Sequence, residues 1–302
     1  MSVKTGTPLV DPGQAPDAPL APPSANAGLL DVFRRRYLLK LLVQKEIQAR
    51  YQGSVLGLFW SYVQPLVRFC MYFFVIGLVL GLHKDIPNFA IHMFAAIVVV
   101  SYFTETFTAG TRAIVRNKAI VKKMAMPREM FPVSSVIVSA IHTFPQTLIL
   151  FVACVAVGWS PDVPALFAGL LGIAIITIFG TALALLFSAW NVFFRDFQNI
   201  VSTLTIFTHW AVPMIYPYSK LANSSLGDTW FLQLYLANPL TEAVLLMQRC
   251  FWVPTTGDAL PPNSMPDDLF VRGYVMLAVV IVILGLAQLA FTRLEGKIAE
   301  RL

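Results

Sequence analysis

The stretch from Phe59 to Leu82 constrains this chain more than any other, because its 24 residues carry a single charge, that of Arg68. A helix rises about 1.5 Å per residue, so this length can cross a hydrocarbon core of about 30 Å. Basic residues reach as far as Arg50 just before the stretch, and basic residues next to a span stay in the cytoplasm. The pattern therefore predicts a first span that runs outward from the cytoplasm.

Further apolar stretches predict an all-α integral membrane protein with six spans and both termini in the cytoplasm. The spans are expected at about residues 59–82, 89–110, 131–158, 165–190, 200–218 and 273–291. Only 13% of the residues are charged, against about 25% in a soluble domain. In this topology 16 of the 22 Lys and Arg residues fall in four segments on one side. The net charge of +6 therefore indicates positive-inside asymmetry, and no nucleic-acid partner is expected.

Two segments precede the first span. Residues 1–28 hold six prolines and five alanines and predict a disordered cytoplasmic tail, with residues 29–302 as the membrane domain. Residues 29–52 predict a basic amphipathic helix in the cytoplasmic interface. The helix either anchors the chain to lipid or also contacts a partner protein. Its expected apolar stripe comprises Leu30, Phe33, Tyr37 and Leu41, with Gln44 at the same helical spacing. A GxxxG pair that would permit close helix contact follows at Gly53 and Gly57.

Residues 111–130 form a second basic segment, with six Lys or Arg against a single acid, Glu129. A short helix on the cytoplasmic surface is expected there, ending before Pro127. The segment is either a positive-inside loop or a helix on which a cytoplasmic subunit docks. An apolar face favours docking, because a plain charged loop does not need one. That face comprises Ile114, Val115, Ile120, Val121 and Met124.

The apolar stretch after the predicted fifth span is cut by Asn238-Pro239. Each half has about 11 residues, which is too short to span a bilayer. Asn238 can cap a second helix that has Pro239 at its first position. Residues 226–252 are therefore expected to form two re-entrant or interfacial half-helices on the outer face.

The sequence contains no phosphate-cradling GxxxxGK[ST] motif, no nucleophile motif and no Cys/His cluster that would hold a metal. Glu105 is expected in an interfacial role near the inner end of the second span. Arg68 lies roughly 13 to 15 Å deep by helical rise, so it should face a partner or water. Structural pairing and pore lining both remain open, and in a pore Arg68 would attract an anionic group such as pyrophosphate.

Aromatic side chains on spans one and five form either core and belt or a stripe along which sugar rings slide. The candidates are Phe69, Tyr72, Phe73, Phe207, Trp210 and Tyr216.

The motif Arg50-Tyr51-Gln52-Gly53-Ser54-Val55-Leu56-Gly57, followed by Trp60 and Pro65, resembles the start of ABC-2 type polysaccharide, O-antigen and teichoic-acid export permeases. Three later features match the same family in order and spacing. They are the basic segment 117–132, Arg195-Asp196, and the stretch Asn238-Pro239-Leu240-Thr241.

The resemblance implies a homodimeric, multi-pass permease of the bacterial plasma membrane that is not an enzyme by itself. Two copies of a separate ATPase chain would bind ATP and Mg, so this chain would need no cofactor of its own. Spans one and five would line the channel, with Arg68 and the six aromatic residues as candidates. The gate helix would comprise residues 29–52, with Phe33, Tyr37, Arg50, Tyr51, Gly53 and Gly57. The coupling helix would comprise residues 112–125, with Ile114, Val115, Lys118, Ile120, Val121, Lys122 and Lys123.

The cargo implied by the resemblance is a polyprenyl-diphosphate-linked polysaccharide, and the sequence is most similar to the actinobacterial galactan exporter permeases. Two other hypotheses apply to a chain of this kind. The first is an ABC-2 permease for a small molecule or drug, which would not depend on the amphipathic helix or the aromatic stripe. The second is a lipid-modifying membrane enzyme, which would need clustered acids or a His nucleophile on one face.

Overall fold

The computed structural model describes residues 28–53, 57–84, 86–124, 126–225, 227 and 229–301, so the predicted tail up to residue 27 lies outside the described residues. Across these ranges the chain is helical and contains no strand, which confirms the all-α prediction. The α-helices are α1 Gly28–Arg34, α2 Arg36–Tyr51, α3 Trp60–Tyr72, α4 Phe89–Arg116, α5 Lys118–Lys123, α6 Met130–Ala156, α7 Val163–Phe193, α8 Phe197–Thr208, α9 Tyr218–Ala222, α10 Trp230–Leu236, α11 Pro239–Phe251 and α12 Leu269–Arg301.

Five helical stretches among the described residues are long and apolar enough to cross a membrane. They are Tyr62–Val79, Phe89–Arg116, Met130–Ala156, Val163–Phe193 and Leu269–Ile298. The first joins α3 to a π-helical segment, Phe73–Val79. These stretches correspond to the first, second, third, fourth and sixth predicted spans, so the chain is a multi-pass membrane protein.

The predicted fifth span, residues 200–218, differs from the expectation. Helix α8 has 12 residues and ends at Thr208, so it covers about 18 Å and cannot cross alone. Turns replace the helix over residues 209–217. Pro213 lacks the amide hydrogen that a helix needs and disfavours helical geometry at the residue before it. The fifth predicted span therefore stays a prediction.

Helices α4 and α7 form the centre of the bundle. Helix α4 packs against α6, α7 and α11, and α7 also packs against α12. Small residues let the two axes approach closely, as in other membrane bundles. A Cβ added at Gly110 would lie 2.4 Å from Cβ of Ala184, and one at Gly180 would lie 2.9 Å from Cγ2 of Thr106.

The Asn238-Pro239 break is confirmed. The Asn238 side chain accepts a hydrogen bond from the Leu240 amide at 3.0 Å and caps α11. Helix α11 is buried in the bundle, and its side chains donate hydrogen bonds to backbone carbonyls of the irregular segment that follows α8. Gln248 donates to the Pro213 carbonyl at 2.7 Å, and Thr241 donates to the Ala211 carbonyl at 3.2 Å. Irregular backbone at such depth persists because protein groups satisfy it.

The predicted interface helix is two helices, since Arg35 separates α1 from α2. Its inward face, which includes Leu39, Leu42 and Val43, packs in a buried cluster with residues of α4, α6 and α12. The predicted apolar stripe lies on the outward face and is exposed, with Leu30 at 75% and Tyr37 at 70%. A face of that kind fits lipid contact. We call the end of the bundle that carries α1, α2, α5 and the last turns of α4 and α12 the basic end.

Candidate functional site at the junction of the interface helix and the bundle

The last turn of α2 is joined to the bundle by a chain of four polar side chains. Arg50 pairs with the Glu105 carboxylate on α4. Glu105 also lies 3.0 Å from Nδ1 of His142 on α6, and Nε2 of His142 lies 2.9 Å from the Tyr51 hydroxyl. With the proton on Nδ1, His142 donates to Glu105 and accepts from Tyr51. The first two residues of the predicted gate motif therefore bind two different membrane helices.

A second junction lies one turn earlier on α2, at Glu46. Its carboxylate is buried, with 5% of the side chain exposed, and pairs with Arg116 at 3.0 Å. The hydroxyl groups of Ser134 and Ser135 on α6 donate to it at 3.2 and 3.4 Å. Asn117, where α4 ends, donates to the same carboxylate at 3.4 Å and accepts from Lys45. A buried carboxylate needs such partners, because desolvation otherwise makes its charge costly.

Two cavities lie at these junctions. The interface cavity, about 550 Å³, lies between α2, α4 and α6. It is lined by Lys45, Glu46, Ala49, Arg50, Glu105, Thr108, Ala109, Arg112, Arg116, Asn117, Ser135 and Val138. The inner cavity, about 210 Å³, is lined by Arg50, Gln64, Pro65, Arg68, Ser101, Thr104, Glu105, Thr108 and His142. The two cavities share Arg50, Glu105 and Thr108, so the Arg50–Glu105 pair stands between them.

The structure places Arg68 on the wall of the inner cavity, which it shares with Glu105 and His142. A charge within a span requires polar neighbours of this kind. Among the described residues Arg68 forms no ion pair. Whether it lines a channel stays a prediction.

The predicted coupling segment is divided between two helices. Ile114 and Val115 lie in the last turn of α4, and the other candidates lie in α5. Ile114 is fully buried and Val121 is 7% exposed, so both pack in the core of this chain. Val115 and Ile120 are partly buried against the same core, whereas Met124 is 50% exposed. Most of the apolar face therefore packs inside this chain, and its use in docking stays a prediction. Lys118, Lys122 and Lys123 are exposed and stay candidates for coupling.

The predicted aromatic stripe is also divided. Phe69 packs edge-on against Phe94 of α4 at 5.1 Å between ring centroids, and Phe73 lies 6.3 Å from Phe89. Tyr72 is packed against the same core. These three side chains hold the first span against α4.

The other three aromatic candidates lie in the last turn of α8 or in the segment that follows it. Phe207 and Trp210 are exposed, and the Tyr216 hydroxyl donates to the Trp210 carbonyl at 3.1 Å. Within the predicted stripe, the residues around the end of α8 are therefore accessible to a ligand or to lipid.

The remaining gate candidates are two glycines with positive φ and two exposed aromatic residues. Gly53 and Gly57 have φ of +79° and +45°, values that favour glycine because a side chain is strained there. A Cβ at either position would meet nothing within 4 Å, so neither glycine makes a close contact with the described part of this chain, and the GxxxG expectation stays a prediction. Phe33 and Tyr37 are exposed on the outward stripe.

Sequence reasoning missed the Glu46 junction and the interface cavity. Glu46 has one signal in the sequence, since it is the lone acid of the basic segment 34–50. His142 and Ser135 have none, because an isolated polar residue in a span is common in a packed core. Their partners are 37 to 91 residues away along the chain, so only the fold brings them together.

A sequence model of the family described as ABC-2 type transporter matches residues 37–252. An O-antigen export system permease protein, RfbA, of Myxococcus xanthus is 29% identical over 231 residues, which cover 76% of this chain and 86% of that protein. A protein of the same description from Klebsiella pneumoniae is 25% identical over 267 residues, 87% of this chain and 94% of that protein. The matched region includes α2, both cavities and α11.

Proposed function

Since the chain belongs to the ABC-2 type transporter family, we propose that it is the membrane subunit of an ATP-driven exporter for a polyprenyl-diphosphate-linked polysaccharide. The cargo, with galactan as the candidate polymer, moves from the cytoplasmic to the outer face of the bacterial plasma membrane. The observation that carries the proposal is the similarity, over most of both chains, to proteins named as O-antigen export permeases.

In this proposal two copies of the chain enclose the channel. Helix α3 supports this arrangement, because it packs on α4 and α6 and also exposes apolar residues, including Leu66, Val67 and Met71. The inner cavity is lined partly by α3, and the interface cavity adjoins it on the side of the basic end, which is cytoplasmic by the positive-inside rule. Arg68 then faces the anionic part of the cargo, and sugar rings pass the aromatic residues around the end of α8.

Two copies of a separate ATPase supply the energy and bind ATP and Mg, while this chain holds no cofactor. The exposed lysines of α5 are the proposed contact. Replacing Lys118, Lys122 and Lys123 with Gln should weaken co-purification with the ATPase by tenfold or more and leave the thermal stability of the permease unchanged. Replacing Lys40, Arg293 and Lys297 with Gln is the matched control, since it removes as many exposed cations from the same end. Equal loss in both triple variants would show only a general charge effect and would remove α5 from its role.

The export function is tested by depleting the protein in its own host and analysing lipid-linked glycans. Accumulation of a polyprenyl-diphosphate-linked polymer on the cytoplasmic side supports the proposal and identifies the polymer. An unchanged glycan pool, together with increased sensitivity to a small toxic compound, would instead support the permease for a small molecule or drug.

A further inference from the structure

The interface cavity carries more positive charge than its acids neutralise. Four cations line it, Lys45, Arg50, Arg112 and Arg116, against two carboxylates. Both carboxylates are already paired, Glu46 with Arg116 and Glu105 with Arg50. The cavity therefore has a formal surplus of two positive charges.

The surplus belongs to two side chains of the lining that lie on different helices. Lys45 on α2 donates to the side-chain oxygen of Asn117, and Arg112 on α4 donates to the Ser202 hydroxyl at 3.3 Å. Both partners are neutral, and within the described part of the chain neither cation forms an ion pair. Hydrogen bonds from Lys or Arg to an anionic oxygen are short and strong, so each of these two cations can bind an anionic group.

The position of the cavity indicates which anion reaches it. The outward stripe of α1 and α2 is apolar and exposed, as expected for a helix that lies at the level of the lipid headgroups. Arg112 and Arg116 lie in the last two turns of a membrane span. Ala49, Ala109 and Val138 supply apolar parts of the same wall. A ligand that is anionic at one end and apolar at the other fits this lining.

We propose that the interface cavity binds the phosphate group of a lipid, held between Lys45 of the interface helix and Arg112 of the second span. The phosphate comes either from a membrane phospholipid or from the diphosphate of the cargo, and the second source rests on the proposed function. With the Arg50–Glu105 pair on the wall shared with the inner cavity, a bound phosphate lies one ion pair away from the cavity that holds Arg68.

The test uses the full chain in nanodiscs of phosphatidylcholine, with native mass spectrometry of bound lipid as the readout. In one arm phosphatidylglycerol is titrated, and in the other a polyprenyl diphosphate. The K45Q/R112Q variant should bind both about a hundredfold more weakly than the unaltered protein, about tenfold for each cation, or about 1.4 kcal/mol each. The K40Q/R293Q variant is the matched control, because it removes one exposed cation from α2 and one from the end of a span outside the cavity.

A further variant separates binding from folding. R112K keeps the charge and should retain most of the affinity lost in R112Q, whereas a purely structural effect would reduce both alike. Preference for the diphosphate identifies the cargo as the source, and equal binding in the two arms identifies membrane phospholipid. Binding of neither lipid above phosphatidylcholine, or equal loss in K45Q/R112Q and K40Q/R293Q, would overturn the proposal. Because no ATPase or glycan export enters this assay, it can fail while the exporter proposal stands, and the reverse also holds.

Discussion

Two carboxylates hold the interface helix against the bundle, and they differ in how far water reaches them. The side chain of Glu46 is 5% exposed and that of Glu105 is 21% exposed. Loss of a buried partner leaves its neighbours unsatisfied, while a wetter pair loses less because solvent replaces it. The two sites therefore predict different outcomes.

Glu46→Ala should lower the free energy of unfolding by about 2 kcal/mol, because Ser134, Ser135 and Asn117 lose their shared acceptor. Glu46→Gln keeps an acceptor oxygen of the same reach and should cost about half as much. Thermal unfolding of the purified full chain in detergent measures both. Equal losses for the two variants would mean that the charge, and not the hydrogen bonds, matters at this position.

Glu105→Gln should release the last turn of α2 with a loss of about 1 kcal/mol, since Arg50 is half exposed and water compensates for part of the lost pair. The measurement is hydrogen exchange of the amides in residues 46–51, which should become faster. Asp196→Asn removes an exposed acid from the start of α8 and serves as the control. Unchanged exchange in Glu105→Gln would show that Tyr51 and the Glu46 junction are sufficient to hold the helix.

At the scale of elements, the closest approach of α4 and α7 is set by glycine. Gly110→Ala would place its Cβ 2.4 Å from Cβ of Ala184 and 3.1 Å from the Ala184 backbone, so the helices must separate. We expect a loss of about 1–3 kcal/mol, seen as a lower midpoint of thermal unfolding. Gly285→Ala is the matched control, because a Cβ there meets nothing within 4 Å. A Gly110→Ala midpoint equal to that of the control would contradict the close packing.

A second prediction for elements concerns the end of the bundle opposite the basic end. Asp162 accepts from the Ala165 amide at 3.0 Å and pairs with Arg249 of α11 at 2.7 Å. The hydrogen bond from Arg249 is the largest cause that lowers the pKa of Asp162 below its usual range. The folded-state pKa is thus below the unfolded value of about 3.9, and the stabilisation is complete above that value and lost as the pH falls through the folded-state pKa.

The stability difference between the protein and its Asp162→Asn variant should therefore be constant near neutral pH and disappear in acid. Unfolding midpoints measured over a pH series check this. A difference that persists well below pH 3 would show that the carboxylate charge does not provide it.

At the scale of the whole molecule, the distribution of charge predicts the orientation. With the basic end in the cytoplasm, Ala119→Cys on α5 should react with a membrane-impermeant maleimide only after the cells are permeabilised. Asp258→Cys, at the opposite end, should react in intact spheroplasts. The variants are made with Cys70→Ser, because Cys70 is exposed whereas Cys154 and Cys250 are buried. The reverse labelling pattern would show that the predicted topology is inverted and that the interface cavity lies on the outer side.

The membrane class, five of the helices that are long enough to cross, and the break at Asn238 could be predicted from the amino-acid sequence. The first, third and fourth of these helices agree with the predicted spans within three residues at each end. Those features depend on local properties, namely the length of an apolar run and the geometry that proline and asparagine allow. The family motif also lies in local sequence. The pairing of Arg50 with Glu105 and of Tyr51 with His142 depends on how the helices pack, since these partners are 55 and 91 residues apart.

Whether an apolar face is buried or exposed also depends on how the helices pack. Val121 and Leu30 both belong to amphipathic patterns, yet one is buried in the core and the other is 75% exposed. Periodicity shows that a face exists, but the choice among core, lipid and partner depends on which helices pack beside it. The path of residues 209–217 likewise depends on the helices that pack beside it. Their apolar composition indicates a span, whereas two prolines and hydrogen bonds from α11 stabilise an irregular path that no local pattern specifies.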